Sequence, residues 1–92
     1  MNKRELYRII GINIKKYRQE YIKNHSMMTQ EMLAEAINVS VSLISSLESE
    51  KTIKGISITN LYKISVILMV PIDVFFEYEK DWLKQIFTKW KY

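Results

Sequence analysis

Few side chains in this chain of 92 residues could carry out a reaction, and their spacing points away from catalysis. His25 is the only histidine and has no Asp, Ser or second ligand at a useful spacing, so it reads as a loop residue rather than a base or metal ligand. Glu31 and Glu35 lie one helical turn apart and could imitate an acid pair, but a solvated helix surface accounts for them better. There is no cysteine, and no glycine-rich phosphate loop, zinc spacing or nucleophile elbow. The expectation is a protein that is not an enzyme and uses neither cofactor nor metal. What remains is ionic chemistry. The net charge is +4, with +5 over residues 1–30, −4 over residues 31–50, +3 over residues 51–72 and a balanced end over residues 73–92. Basic flanks of this kind can hold a phosphate backbone, because cationic groups supply most sequence-independent affinity for DNA.

The acidic middle, TQEMLAEAINVSVSLISSLE from Thr29 to Glu48, reads as two short helices joined by a tight corner, a helix-turn-helix. Thr29 can cap the first helix, whose residues are mostly good helix formers, with Glu31 at the positive end of the dipole. Asn38 tolerates the left-handed conformation that ends helices. Ser40 can cap the second helix, in which Ile44 and Leu47 continue the apolar face begun by Val39. One face of that helix is buried and the other is free. Ala34 reads either as the small residue that lets two crossing helices approach or simply as a good helix former.

Other elements must support this unit. Leu6, Ile10, Ile14, Tyr17 and Tyr21 recur at helical intervals from Glu5 to about Tyr21, with Gly11 leaving a start nearer Ile12 open. Asn24, His25 and Ser26 form a polar break, and Glu50 to Ser57 a loop. Ser57 can cap a fourth helix with a stripe of Ile58, Leu61, Ile64, Ser65 and Leu68, ended near Val70 by Pro71. Pro71 can open a fifth. No strand alternation competes, so the expected class is all-α. The expected division is a domain over residues 1–76 and a helical extension over residues 77–92. The longest apolar run, Val66 to Val70, falls far short of a membrane span, and the start lacks a signal-like apolar core, so a cytoplasmic protein is expected. The methionines Met27, Met28 and Met32 and the tyrosines Tyr7, Tyr17, Tyr21 and Tyr62 read as core and rim packing.

In order and spacing, IGINIKKYR, TQEMLAEAINVS, SLISSLE and ITNLYKISVILMVPIDVFF resemble the Cro and phage-repressor class of regulators, the XRE family, over roughly residues 10–76. The resemblance implies a five-helix, lambda-repressor-like DNA-binding domain with its helix-turn-helix at helices two and three. It also implies a dimer reading two half-sites about one DNA turn, ~34 Å, apart. Carried residue by residue, it implies that Gln30 grips a phosphate and that Val41, Ser42 and Ser46 face base edges. Ser40, Leu43 and Ser45 stand beside them, and Lys51, Thr52 and Lys54 meet the backbone. Arg18 and Glu48 are implied as a structural pair. Asn38 stands where the family often has glycine, and Ser49-Glu50 where it often has a basic or glycine-containing stretch. The reading face lacks the Arg, Lys, Asn or Gln side chains that make bidentate base contacts, which favours A·T-containing operators read through methyl contact and groove shape.

The tail EYEKDWLKQIFTKWKY places much apolar area on one short helix, and something must cover it. It either folds back on helices one and four or pairs across a two-fold axis, and the reading adopted is a homodimer interface of Phe75, Tyr78, Trp82, Ile86 and Trp90. The expected protein is a homodimeric transcriptional regulator on an inverted repeat, acting by blocking or recruiting RNA polymerase. Controller proteins of restriction–modification systems, phage regulators and antitoxins are the candidate subclasses. The rival is a protein-interaction module in which the acidic stretch and aromatic tail bind another protein.

Overall fold

The computed structural model describes residues 2–78 apart from Asn24. Within them lie four α-helices, α1 (Lys3–Glu20), α2 (Gln30–Ile37), α3 (Val41–Glu48) and α4 (Ile58–Leu68). A minimal antiparallel pair, β1 (Ile22–Lys23) and β2 (Ser26–Met27), follows α1, and a 3-10 turn (Ile72–Phe76) follows α4.

Each α-helix begins on a side chain that satisfies one of its otherwise unpaired N–H groups. Asn2 Oδ1 accepts from Glu5 N at 2.9 Å, and Thr29 Oγ1, Ser40 Oγ and Ser57 Oγ each accept at 3.1 Å from the residue three positions on. Such caps contribute about 1 kcal/mol each. At the other end, Asn38 closes α2 in the left-handed conformation (φ 60°, ψ 50°). Asn38 N–H reaches Glu35 O at 3.2 Å and Val39 N–H reaches Ala34 O at 3.0 Å. Those two bonds define a Schellman stop, which aims the chain directly into α3. The same arrangement ends α4, but there the left-handed residue is Met69 (φ 59°), a side chain with no local hydrogen bond to offset the strain.

The core is one cluster in which Ile14, Leu33, Ile44, Ile64 and Phe75 are fully enclosed, so every element except the hairpin contributes a side chain to its centre. Burying each of these is worth roughly 1.5–3 kcal/mol. Ala34 is buried beside them on α2.

Several expectations change. Helix α1 runs without interruption from Lys3, and Gly11 marks no boundary. A Cβ there would overlap the carbonyl oxygen of Leu47, so glycine is what allows α1 to cross α3 in backbone contact. The polar break is a hairpin rather than a plain loop. Ile22 pairs with Met27 and Lys23 with Ser26, turned by His25 at φ 66°. Met28 N–H then bonds Tyr21 O at 3.2 Å, which delivers the Met28 side chain into the core. The expected fifth helix is a 3-10 turn. Asn13, buried on α1, donates its side-chain amide to Phe75 O at 2.9 Å and Glu77 O at 2.7 Å, taking carbonyls that a continuing helix would use. Phe75, expected at a contact between subunits, is enclosed in its own chain's core, edge-on to Tyr17 with ring centroids 6.1 Å apart. Ile58, assigned to the buried stripe of α4, is 68% exposed. The residues of the tail interface beyond Tyr78, namely Trp82, Ile86 and Trp90, lie outside the described residues.

Two substitutions test this account in opposite directions. Gly11→Ala forces the α1–α3 crossing apart and should cost at least about 1–3 kcal/mol, read by urea unfolding. Met69→Gly relieves the left-handed strain and should add roughly 1 kcal/mol, raising Tm by about 4–8 °C.

Candidate nucleic-acid interface

Helix α3 is short, and on its own eight residues would not hold a helical shape. It is held from beneath. Ile44 and Leu47 anchor it in the core, and Glu48 at its last turn is buried with them. The opposite side presents Val41, Ser42 and Ser45 to solvent, with Ser40 exposed just before the helix. Ser46 is half-buried at the edge of this face, and Leu43 is half-buried because it leans against the core. The resulting ridge carries hydroxyls and one β-branched methyl pair and no charge. A hydroxyl rotor can donate or accept, so such a ridge reads weakly by hydrogen bonding and more by fit.

Beneath it sits a buried ionic cluster. Arg18 donates through Nε to Glu48 Oε2 at 2.7 Å and through Nη2 to Glu48 Oε1 at 2.8 Å, a two-pronged pair with both side chains nearly out of solvent. Its third prong, Nη1, donates to Met28 O at 2.8 Å. Gln30 Nε2 donates to Glu48 Oε1 at 3.0 Å. The Glu48 carboxylate thus joins the end of α1, the start of α2 and the end of α3, and Arg18 adds the residue after the hairpin to the same node. Among the described residues no buried side-chain nitrogen or oxygen lacks a hydrogen-bond partner.

Gln30, implied by the resemblance to grip phosphate, thus has one amide hydrogen engaged by Glu48. A carboxamide nitrogen carries two hydrogens, so the bond to Glu48 orients the group and leaves the second for a ligand. Lys51, Thr52 and Lys54 are all exposed in the loop after α3, where Ser49 Oγ accepts from Lys51 N at 3.2 Å. The exposed carboxylate of Glu50 stands beside Lys51. Tyr78 is half-buried at the end of the described chain.

Three features were not drawn from the sequence. The Asn13 clamp had no signal beyond a polar residue on the buried side of α1. The Gln30–Glu48 bond needed the relative placement of α2 and α3. An exposed apolar stripe of Ile58, Tyr62, Val66 and Met69 runs along α4 to its C-cap, flanking the core face, and its spacing of four, four and three was present in the sequence. Among the described residues no group of three His, Cys, Asp or Glu could hold a metal ion, and no helix is long and apolar enough to cross a membrane.

A helix anchored from below, exposed on one face and preceded by a capped helix at a Schellman corner defines a helix-turn-helix DNA-binding module. The helix-turn-helix family model matches residues 14–75, and the chain belongs to that family as an XRE-type regulator. No curated protein matches it. The family is one of DNA-binding regulators rather than enzymes.

Removing Arg18 leaves Glu48 as an uncompensated buried charge. Arg18→Ala should therefore cost about 3–5 kcal/mol in chemical denaturation.

Proposed function

We propose that this protein is a homodimeric, sequence-specific transcriptional regulator that lays α3 in the major groove of an inverted-repeat operator. The observation that carries the proposal is the exposed Val41–Ser42–Ser45 ridge mounted on the Arg18–Glu48–Gln30 node. In this reading Val41, Ser42 and Ser46 meet base edges, with Ser40, Leu43 and Ser45 at the margins of the contact. Gln30 gives its second amide hydrogen to a phosphate, helped by the positive end of α2. Lys51, Thr52 and Lys54 hold the strand beyond. Direct base reading by hydroxyls and methyls favours A·T-containing sites, with groove shape and flexibility supplying the rest.

Support for the homodimer comes from α4. Ile58, Tyr62, Val66 and Met69 are between 55% and 79% exposed, and a two-fold partner would cover them together with Tyr78, Trp82, Ile86 and Trp90. Two copies would set the recognition helices about 34 Å apart. Bound near a promoter in the cytoplasm, the dimer would block or recruit RNA polymerase.

Footprinting on the DNA upstream of its own gene should show a protected two-fold repeat. Retention only at very low salt would instead favour a protein-binding role. Lys51→Ala with Lys54→Ala should weaken all sequences alike and flatten the salt dependence by about 0.9 logarithmic units per lost contact. Changing Ser42 should alter which sequence is preferred, and a G·C-dominated core from random-site selection would refute the A·T preference. Val66→Glu with Met69→Glu, both on the surface, should halve the sedimentation mass, and an unchanged mass would reject α4 as part of the interface.

A further inference from the structure

The family match begins at residue 14, yet α1 begins at Lys3, so its first three turns lie outside the matched region. Those turns have a fixed position. Helix α1 crosses α3 at Gly11, against the last turn of α3, and the eight residues before Gly11 extend α1 by roughly 12 Å beyond that crossing. The loop after α3 comes back to them at Gly55, which packs so closely against the Tyr7 ring that a Cβ would sit 2.9 Å from Cζ and 3.1 Å from Oη. Gly55 does not have a positive φ, so its lack of a side chain serves this close approach and not a turn.

Two sets of exposed cations lie on the segments that this contact joins. Lys51 and Lys54 are exposed on the loop, and Lys3, Arg4 and Arg8 are exposed on the turns of α1 that the loop packs against. Lys3 Nζ stands 5.8 Å from the centroid of the Tyr7 ring, the same ring that seats Gly55. Arg4 and Arg8 are one helical turn apart and share a face. Glu5 on the helix and Glu50 on the loop are the acids of these two segments, against five cations.

We propose that Lys3, Arg4 and Arg8 form a phosphate-binding ridge, continuous with Lys51 and Lys54, that grips double-stranded DNA outside the half-site read by α3. The proposal rests on the DNA-binding reading above. Of the residues assigned to bases, Val41 and Ser42 open α3 and Ser46 lies in its last turn, whereas the ridge flanks the loop that follows α3. Its contacts therefore fall on flanking backbone and add affinity and salt dependence without sequence preference. The Tyr7–Gly55 contact makes the two halves of the ridge one rigid surface.

The test compares the full-length protein with Arg4→Gln/Arg8→Gln on two duplexes, one carrying the operator with flanking DNA and one trimmed to the half-sites. Circular dichroism should be the same for both proteins, since both side chains are on the surface. On the long duplex the double variant should lose outer protections and lower the salt slope by up to about 1.8 logarithmic units, about 0.9 per contact. On the trimmed duplex the two proteins should bind alike. Equal slopes on the long duplex, or an equal loss on both duplexes, would overturn the ridge while leaving the regulator reading intact. A parent protein that protects no DNA would overturn both.

Discussion

The Glu48 carboxylate is the point through which the exposed face of α3 is held in shape. Arg18 reaches it from α1, Gln30 reaches it from α2, and Glu48 itself terminates α3, so three helices meet at two oxygen atoms. Burial of such a pair yields little net stability compared with a well-packed apolar substitute, because desolvating both charges offsets their attraction. What it supplies is direction. A guanidinium fork accepts one in-plane geometry for a carboxylate, and apolar packing alone would let α3 slide or rotate by small amounts over Ile44 and Leu47. The third bond from Arg18 to Met28 O makes the hairpin a party to the same constraint.

That rigidity contrasts with the surface it supports. The ridge of α3 carries rotors and methyls, while the charged groups stand at its borders, on the loop and on the outer side of α1. The division matches a physical separation of tasks, in which fixed cations position a duplex and a neutral surface tests its edges. It also makes sense of the acidic middle segment. Of the four glutamates there, Glu48 is internal and consumed by Arg18, and Glu31 and Glu35 sit on the exposed side of α2, which leaves Glu50 as the one beside the loop lysines. Net charge by segment therefore overstated the repulsion a phosphate would meet at α3.

Much of the architecture was legible because it is encoded locally. Thr29, Ser40 and Ser57 announce helix starts through bonds that span three residues, Asn38 announces a stop, and the period of Ile10, Ile14 and Tyr17 announces a buried face. What was missed depends on partners distant in sequence. Gly11 reads as a weak point within a helix until Leu47 is placed against it, and Asn13 reads as an ordinary polar residue until the segment after Pro71 folds across it. Met69 was hidden for another reason, since its left-handed conformation contradicts its own preference and follows from α4 having to end before Pro71. Phe75 was misassigned because an aromatic run gives no direction, and only the 3-10 turn decides which ring points inward. For the interface, residue types identified the exposed face of α3, while the role of Gln30 as a bridge between core and surface required coordinates.

The Asn13 clamp has a kinetic consequence. It joins positions 62 and 64 residues apart through a single carboxamide, whereas the helix caps close over three residues and the hairpin over a few more. Closing a loop of that length costs more chain entropy than any of those local bonds, which favours its forming after them. An interaction formed late contributes little to the rate of folding and much to the lifetime of the folded state. A single asparagine on α1 thereby fastens the 3-10 turn that carries Phe75 to the first helix.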